Sequence, residues 1–87
     1  MTDRAWMSTS KKFQPRDVVV HYKEIDDETP ALWVVQKISR GRKCLFYYTI
    51  YPVGGGQFSS ISNERQRYFV NVKKRPDLVS RFAEFLI

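Results

Sequence analysis

The run Ala31-Leu32-Trp33-Val34-Val35-Gln36-Lys37-Ile38, the link Ser39-Arg40-Gly41-Arg42-Lys43 and the run Cys44-Leu45-Phe46-Tyr47-Tyr48-Thr49-Ile50-Tyr51 decide the fold. Both runs are dense in β-branched and aromatic residues, which suit a pleated, half-buried backbone. A short Gly-containing link between two such runs predicts an antiparallel hairpin. Gly41 is the residue available for a positive φ in that turn.

Outward from the hairpin, Asp17-Val18-Val19-Val20-His21-Tyr22 reads as an earlier strand with Val18, Val20 and Tyr22 on one face. Residues 24–30 are acidic and close with Thr29-Pro30, so they read as an exposed loop. Pro52 and Gly54-Gly55-Gly56 end the hairpin in what reads as a mobile loop. A weak strand at 58–61, a turn at Ser62-Asn63-Glu64-Arg65 and a last strand, Tyr68-Phe69-Val70-Asn71-Val72, follow. The period then changes: Leu78, Val79, Phe82, Phe85 and Leu86 share one face of a helix over 77–86. Pro76 and Asp77 suit its first turn, where proline loses no hydrogen bond and a carboxylate meets the positive helix end. The expectation is a mainly β chain with one C-terminal helix, a small, strongly bent barrel of about five antiparallel strands. Residues 1–12 read as a flexible leader and 13–87 as a single domain.

Composition narrows the function classes. With 87 residues, 43% of them hydrophobic and 15% aromatic, the chain is one small globular domain. One cysteine excludes an internal disulfide or a Cys-rich zinc site, and one histidine argues against a His-based metal centre. No apolar run approaches the roughly 20 residues of a membrane span, and MTDRAWMSTSKK lacks the apolar segment of a signal peptide. An intracellular protein with no membrane partner and no cofactor is expected.

The formal net charge is +6, unevenly spread. Four of nine acids, Glu24, Asp26, Asp27 and Glu28, fall in five consecutive residues, leaving fifteen basic against five acidic residues elsewhere. The basic residues cluster at Arg40-Gly41-Arg42-Lys43, Arg65-Gln66-Arg67 and Lys73-Lys74-Arg75, with a weaker group at Lys11-Lys12 and Arg16. Such clusters are the footprint of a polyanion partner. Trp33, Tyr47, Tyr51, Phe58, Tyr68 and Phe69 exceed what so small a core needs. Aromatics exposed beside cations stack unpaired bases or enclose a methylated ammonium.

A catalytic constellation is not legible. His21 lies among valines without a partner and reads as a packing or edge residue; Cys44 reads as a small hydrophobe. Glu24-Ile25-Asp26-Asp27-Glu28 lacks the alternating ligands and glycine of a calcium loop. The Gly triplet precedes no helix with a phosphate-binding start.

Over about residues 32–87 the sequence resembles a chromodomain. The residues that carry the likeness are Leu32-Trp33-Val34-Val35-Gln36-Lys37-Ile38, Tyr47-Tyr48-Thr49-Ile50-Tyr51 after a short basic turn, and Pro76-Asp77-Leu78 with Phe85-Leu86 in the closing helix. The family's Trp-Glu-Pro before the helix is replaced by Tyr68-Phe69-Val70. An extra strand within 13–22 precedes the match, as in chromo-barrel and Tudor-like variants. The resemblance implies an SH3-type barrel with Trp33 and Tyr51 at two aromatic-cage positions. The third position falls near Gly54, where Phe58 is the available substitute.

The combined expectation is a non-catalytic module contacting nucleic acid or nucleoprotein, with a nuclear or nucleoid-associated location. Arg40, Arg42, Lys43, Arg65, Arg67, Lys73, Lys74 and Arg75 would meet phosphates, and Trp33, Tyr47, Tyr51 and Phe58 would stack or cage. The alternative is a module binding a peptide, including a methyl-lysine peptide, or an adaptor domain of a larger complex.

Overall fold

Three consecutive valines, Val18-Val19-Val20, are stable in a strand only if both faces of that strand are covered. The computed structural model, which describes residues 10–86, covers both. β1 (Val18–His21), β2 (Leu32–Arg40), β3 (Phe46–Pro52), β4 (Ser59–Ser62) and β5 (Phe69–Asn71) form one antiparallel sheet in the order β4-β3-β2-β1-β5. A short helix, α1 (Pro76–Arg81), follows. The chain is therefore mainly β, an open five-stranded sheet with one C-terminal helix, compatible with a small barrel-like fold. The hairpin pairs Arg40 with Phe46 at its turn and Trp33 with Pro52 at its open end.

Alternation sends Val19 to one face and Val18 and Val20 to the other. Val19 joins Phe13, Val35, Phe46, Tyr48, Ile50 and Ile61 in a first core. Val18 and Val20 join Leu32, Val72, Leu78 and Phe82 in a second core beneath α1. Burying each such side chain contributes about 1.5–3 kcal/mol, which is why a six-residue helix persists here. Alone it is far below the length at which helices are stable in water.

Strict alternation fails once, inside β2. Val35 pairs with Ile50 and Lys37 with Thr49, so one extra residue, Gln36, sits in a bulge. Without the bulge, the parity of Trp33 and Val35 would carry Lys37 and Ser39 inward. With it, Ile38 faces Tyr48 and packs on the first core.

Three local expectations are corrected. Tyr22 does not continue the face of Val18 and Val20; it opens a 3-10 turn, Tyr22–Glu24, and is 48% exposed. α1 stops at Arg81 rather than reaching residue 86, because Phe82 takes φ −113 and ψ 25 and a 3-10 turn, Ala83–Phe85, follows. The tighter winding turns Leu86 back onto the second core and leaves Phe85 47% exposed. Gly41 is not at positive φ; a Cβ there would lie 2.4 Å from Cys44 Sγ and 2.5 Å from its carbonyl oxygen. The triplet Gly54, Gly55 and Gly56 carries the positive φ values, 97, 98 and 133, with Gly55 N–H donating to the Pro52 carbonyl at 3.1 Å.

Residues 1–9 of the expected leader lie outside the described residues. At residues 10–13 the chain is tied to the first core by a polar network. Tyr48 Oη accepts from the backbone N–H of Lys12 at 2.9 Å and of Phe13 at 3.2 Å, and donates to Gln66 Oε1. Gln66 Nε2 in turn donates to the Ser10 carbonyl at 3.1 Å. Burial pushes the Tyr48 phenol above its ordinary range, so it stays a neutral donor and acceptor.

Candidate nucleic-acid interface

The basic clusters do not all meet. Asn63 fixes the relation of the first two: its N–H donates to the Phe46 carbonyl at 2.9 Å and its Oδ1 accepts from Leu45 N–H at 3.1 Å. These bonds hold the turn after β4 against the start of β3. Arg42 and Lys43 consequently share a shallow hollow of about 310 Å³ with Asn63 and Glu64. The next residues form the 3-10 turn Arg65–Tyr68, which carries Arg65 and Arg67 from β4 toward β5. Gln66 is buried on that turn, which turns its two arginine neighbours outward.

The third cluster lies apart, on the 3-10 turn Val72–Lys74. Asn71 Oδ1 caps that turn through Lys73 N–H, and Lys73 Nζ donates to the Arg16 carbonyl, both at 3.0 Å. Arg75 grips Asp77 with two hydrogen bonds, of 3.0 and 2.8 Å. Those bonds hold the Asp77 carboxyl below its ordinary pKa and raise that of Arg75. This is the one ion pair among the described residues, so no described carboxylate pairs with Arg40, Arg42, Lys43, Arg65 or Lys74. Of the eight expected phosphate ligands, Arg75 is engaged by the Asp77 carboxylate.

The expected cage is not assembled. Cross-strand partners share a face, and the register pairs Trp33 with Pro52 but Val34 with Tyr51. Trp33 therefore lies on the face of the first core, where it is half-buried, whereas Tyr51 emerges on the opposite face. Tyr51 does meet Phe58, with ring centroids 5.9 Å apart at 52°, and both are exposed (37% and 60%). Tyr47, two residues before Thr49 on the same strand face as Tyr51, is half-buried.

A different aromatic cluster forms where β1 meets β5. Register places His21 opposite Phe69, which brings together the dipeptides His21-Tyr22 and Tyr68-Phe69. His21 stacks on Tyr22 at 5.1 Å and 23° and lies 6.3 Å from Tyr68 at 17°; Tyr22 and Tyr68 are 6.2 Å apart at 29°. Phe69 meets His21 edge-on at 5.2 Å. Three near-parallel rings make a stacking platform, unlike the perpendicular walls that enclose an ammonium. The His21 ring is oriented by its Nδ1, which accepts from Lys23 N–H at 3.1 Å, leaving the proton of the neutral ring on Nε2. The Arg67 guanidinium lies 4.9 Å over Tyr68 and donates to its hydroxyl at 2.8 Å. Arg65, Tyr68, Phe69 and His21 line one cavity of about 520 Å³ together with Ser59, Ser60 and Ile61 of β4.

Sequence reasoning named Tyr68 and Phe69 as surplus aromatics but missed their partners. The signal was two aromatic pairs at the ends of two strands. Their adjacency depends on β1 lying beside β5, a contact between residues 48 positions apart.

Among the described residues no group of three or more His, Cys, Asp or Glu converges on a metal site. No described helix is long and apolar enough to cross a membrane. Comparison of the chain with protein-family models, with curated proteins and with solved structures returned no match.

Proposed function

We propose that the chain is a non-catalytic module that binds nucleic acid or nucleoprotein and contacts unpaired bases. Phosphates run along Arg42, Lys43, Arg65 and Arg67, and a base stacks on the exposed surface of the His21-Tyr22-Tyr68 platform. One observation carries the reading: the 3-10 turn Arg65–Tyr68 leads directly from the hollow beside Arg42 and Lys43 to the aromatic platform. Cations beside a ring platform are the arrangement that binds single strands, where the grip on phosphates is electrostatic and stacking tolerates any base. Arg40 extends the basic end of the strip, and Lys73 and Lys74 add to the surrounding field from a separate turn.

Fluorescence anisotropy with a labelled oligouridine, an oligodeoxythymidine and a duplex tests this. Tyr68→Ala is expected to weaken single-strand binding by about 1–3 kcal/mol, the usual worth of one stacked base. Unchanged affinity for all three probes in Tyr68→Ala and in Arg42→Ala/Arg65→Ala removes the reading.

A second reading, a peptide- or protein-binding module, is favoured by the exposed Tyr51–Phe58 pair, since paired exposed aromatics are typical interface anchors. Phe58→Ala separates the two: it spares oligonucleotide binding under the first reading and abolishes partner capture under the second.

A further inference from the structure

On a chain of net charge +6, one region is acidic. The loop bearing Glu24, Asp26, Asp27 and Glu28 is folded onto the end of the chain rather than left free. Glu24 Oε1 accepts from Ala31 N–H at 3.0 Å, and Asp27 N–H donates to the Glu24 carbonyl at 3.0 Å. The Arg81 guanidinium donates to the carbonyls of Ile25 and Asp27. Arg81 is thereby committed to backbone and ties the loop to the last turn of α1.

Between that loop and the chain end opens a groove of about 400 Å³. Leu32, Val53 and Phe82 form its apolar floor, Phe85 its lip, and Glu28 and Glu84 its acidic rim, which outnumbers the one cation in the lining, Arg81, whose guanidinium is turned to the loop carbonyls. Phe85 is 47% exposed, because the 3-10 turn after α1 directs it away from the core. Neither rim carboxylate has an ion-pair partner among the described residues.

We propose that this groove docks a basic peptide segment bearing one large apolar side chain. The side chain rests on Leu32, Val53 and Phe82, and flanking lysines or arginines meet Glu28 and Glu84. Charge complementarity selects this occupant. Nucleic acids and acidic peptides are repelled by the rim, and a neutral apolar partner would desolvate two carboxylates without pairing them. The groove has the size of a small ligand site and shares no lining residue with the proposed nucleic-acid face, so it stands independently of that reading.

The test uses two short Lys/Arg peptides, one with a central phenylalanine and one with glycine there, followed through backbone amide shifts. Saturable shifts are expected at Leu32, Val53 and Arg81 to Phe85, with the glycine peptide about tenfold weaker, the worth of one buried apolar side chain. Glu28→Gln combined with Glu84→Gln is expected to weaken binding about two- to fivefold, as for partly exposed ion pairs. Phe85 is exposed, so Phe85→Ala keeps the amide spectrum of the core while weakening the phenylalanine peptide alone. Equal affinity for the two peptides, or shifts confined to residues 24–28, overturns the proposal by reducing it to charge attraction. Concentration-dependent broadening at the groove without peptide also overturns it, because the occupant is then a second copy of the chain.

Discussion

Tyr48 shows how much one side chain settles. Its ring fills the first core, edge-on to Phe13 and Phe46, while its hydroxyl meets three polar partners. Removing that hydroxyl orphans the buried backbone N–H of Phe13, whereas Lys12 N–H and Gln66 Oε1 keep their own hydrogen bond of 3.1 Å. Tyr48→Phe is expected to cost about 1–3 kcal/mol in chemical denaturation, the penalty for stranding buried polar groups. It should also speed amide exchange at Phe13, more than at Lys12, ahead of the sheet. The pH dependence has a definite sign. Because burial raises the folded-state pKa, the native protein keeps the phenolic proton where the unfolded chain has lost it. The contribution is therefore whole below the ordinary phenol range near pH 10 and declines as pH rises through the higher folded value. The stability gap between wild type and Tyr48→Phe should narrow in alkali; a gap that widens contradicts the assignment. None of this was legible in Cys44-Leu45-Phe46-Tyr47-Tyr48, where the two tyrosines look alike and alternation alone makes one of them inward.

At the level of elements, the hairpin was legible because its two runs are long, β-branched and joined by a short link. The bulge at Gln36 was visible only as a three-residue spacing between Val35 and Ile38, which a reading based on strict alternation passes over. The cage of Trp33 and Tyr51 failed for a related reason. Their faces depend on the β2–β3 register, and a shift of one residue sends two side chains to opposite sides. The helix was recognised by its apolar period, yet its end was not. Phe82 leaves helical geometry, so a regular pattern continued to residue 86 wrongly packs Phe85, while Leu86 reaches the second core only through the 3-10 turn. The consequence can be measured. Phe82→Ala removes a 4%-exposed ring from the second core and is expected to cost about 3–5 kcal/mol, with Leu78→Ala costing about 2–5. Phe85→Ala, by contrast, should stay within about 1 kcal/mol, as for exposed positions generally. Thermal unfolding of the three variants checks the order. A Phe85 variant as damaging as Phe82→Ala would mean that α1 continues regularly to residue 86.

Across the whole molecule, the uneven charge read from the sequence becomes a division of surfaces. One basic strip passes from the β2–β3 link along the turn Arg65–Tyr68 to the platform of His21, Tyr22 and Tyr68. The acidic loop lies instead against the end of α1, around an apolar groove. Clusters 40–43 and 65–67 converge because Asn63 pins their turns together, while 73–75 stands apart with Arg75 engaged by Asp77. That selection among basic clusters was beyond the sequence, which shows their number but not their neighbours. The most direct measurement of the central claim is the affinity for a labelled single-stranded oligonucleotide across a salt series starting near 50 mM. With four to five cations of the strip on phosphates, log K against log salt should fall with a slope of about −3, at roughly −0.7 per neutralised phosphate. Arg42→Ala/Arg65→Ala should flatten that slope by about 1.4, whereas Lys74→Ala, outside the strip, should leave it within about 0.3. No binding at the lowest salt, or a slope near zero in the wild type, would contradict the account.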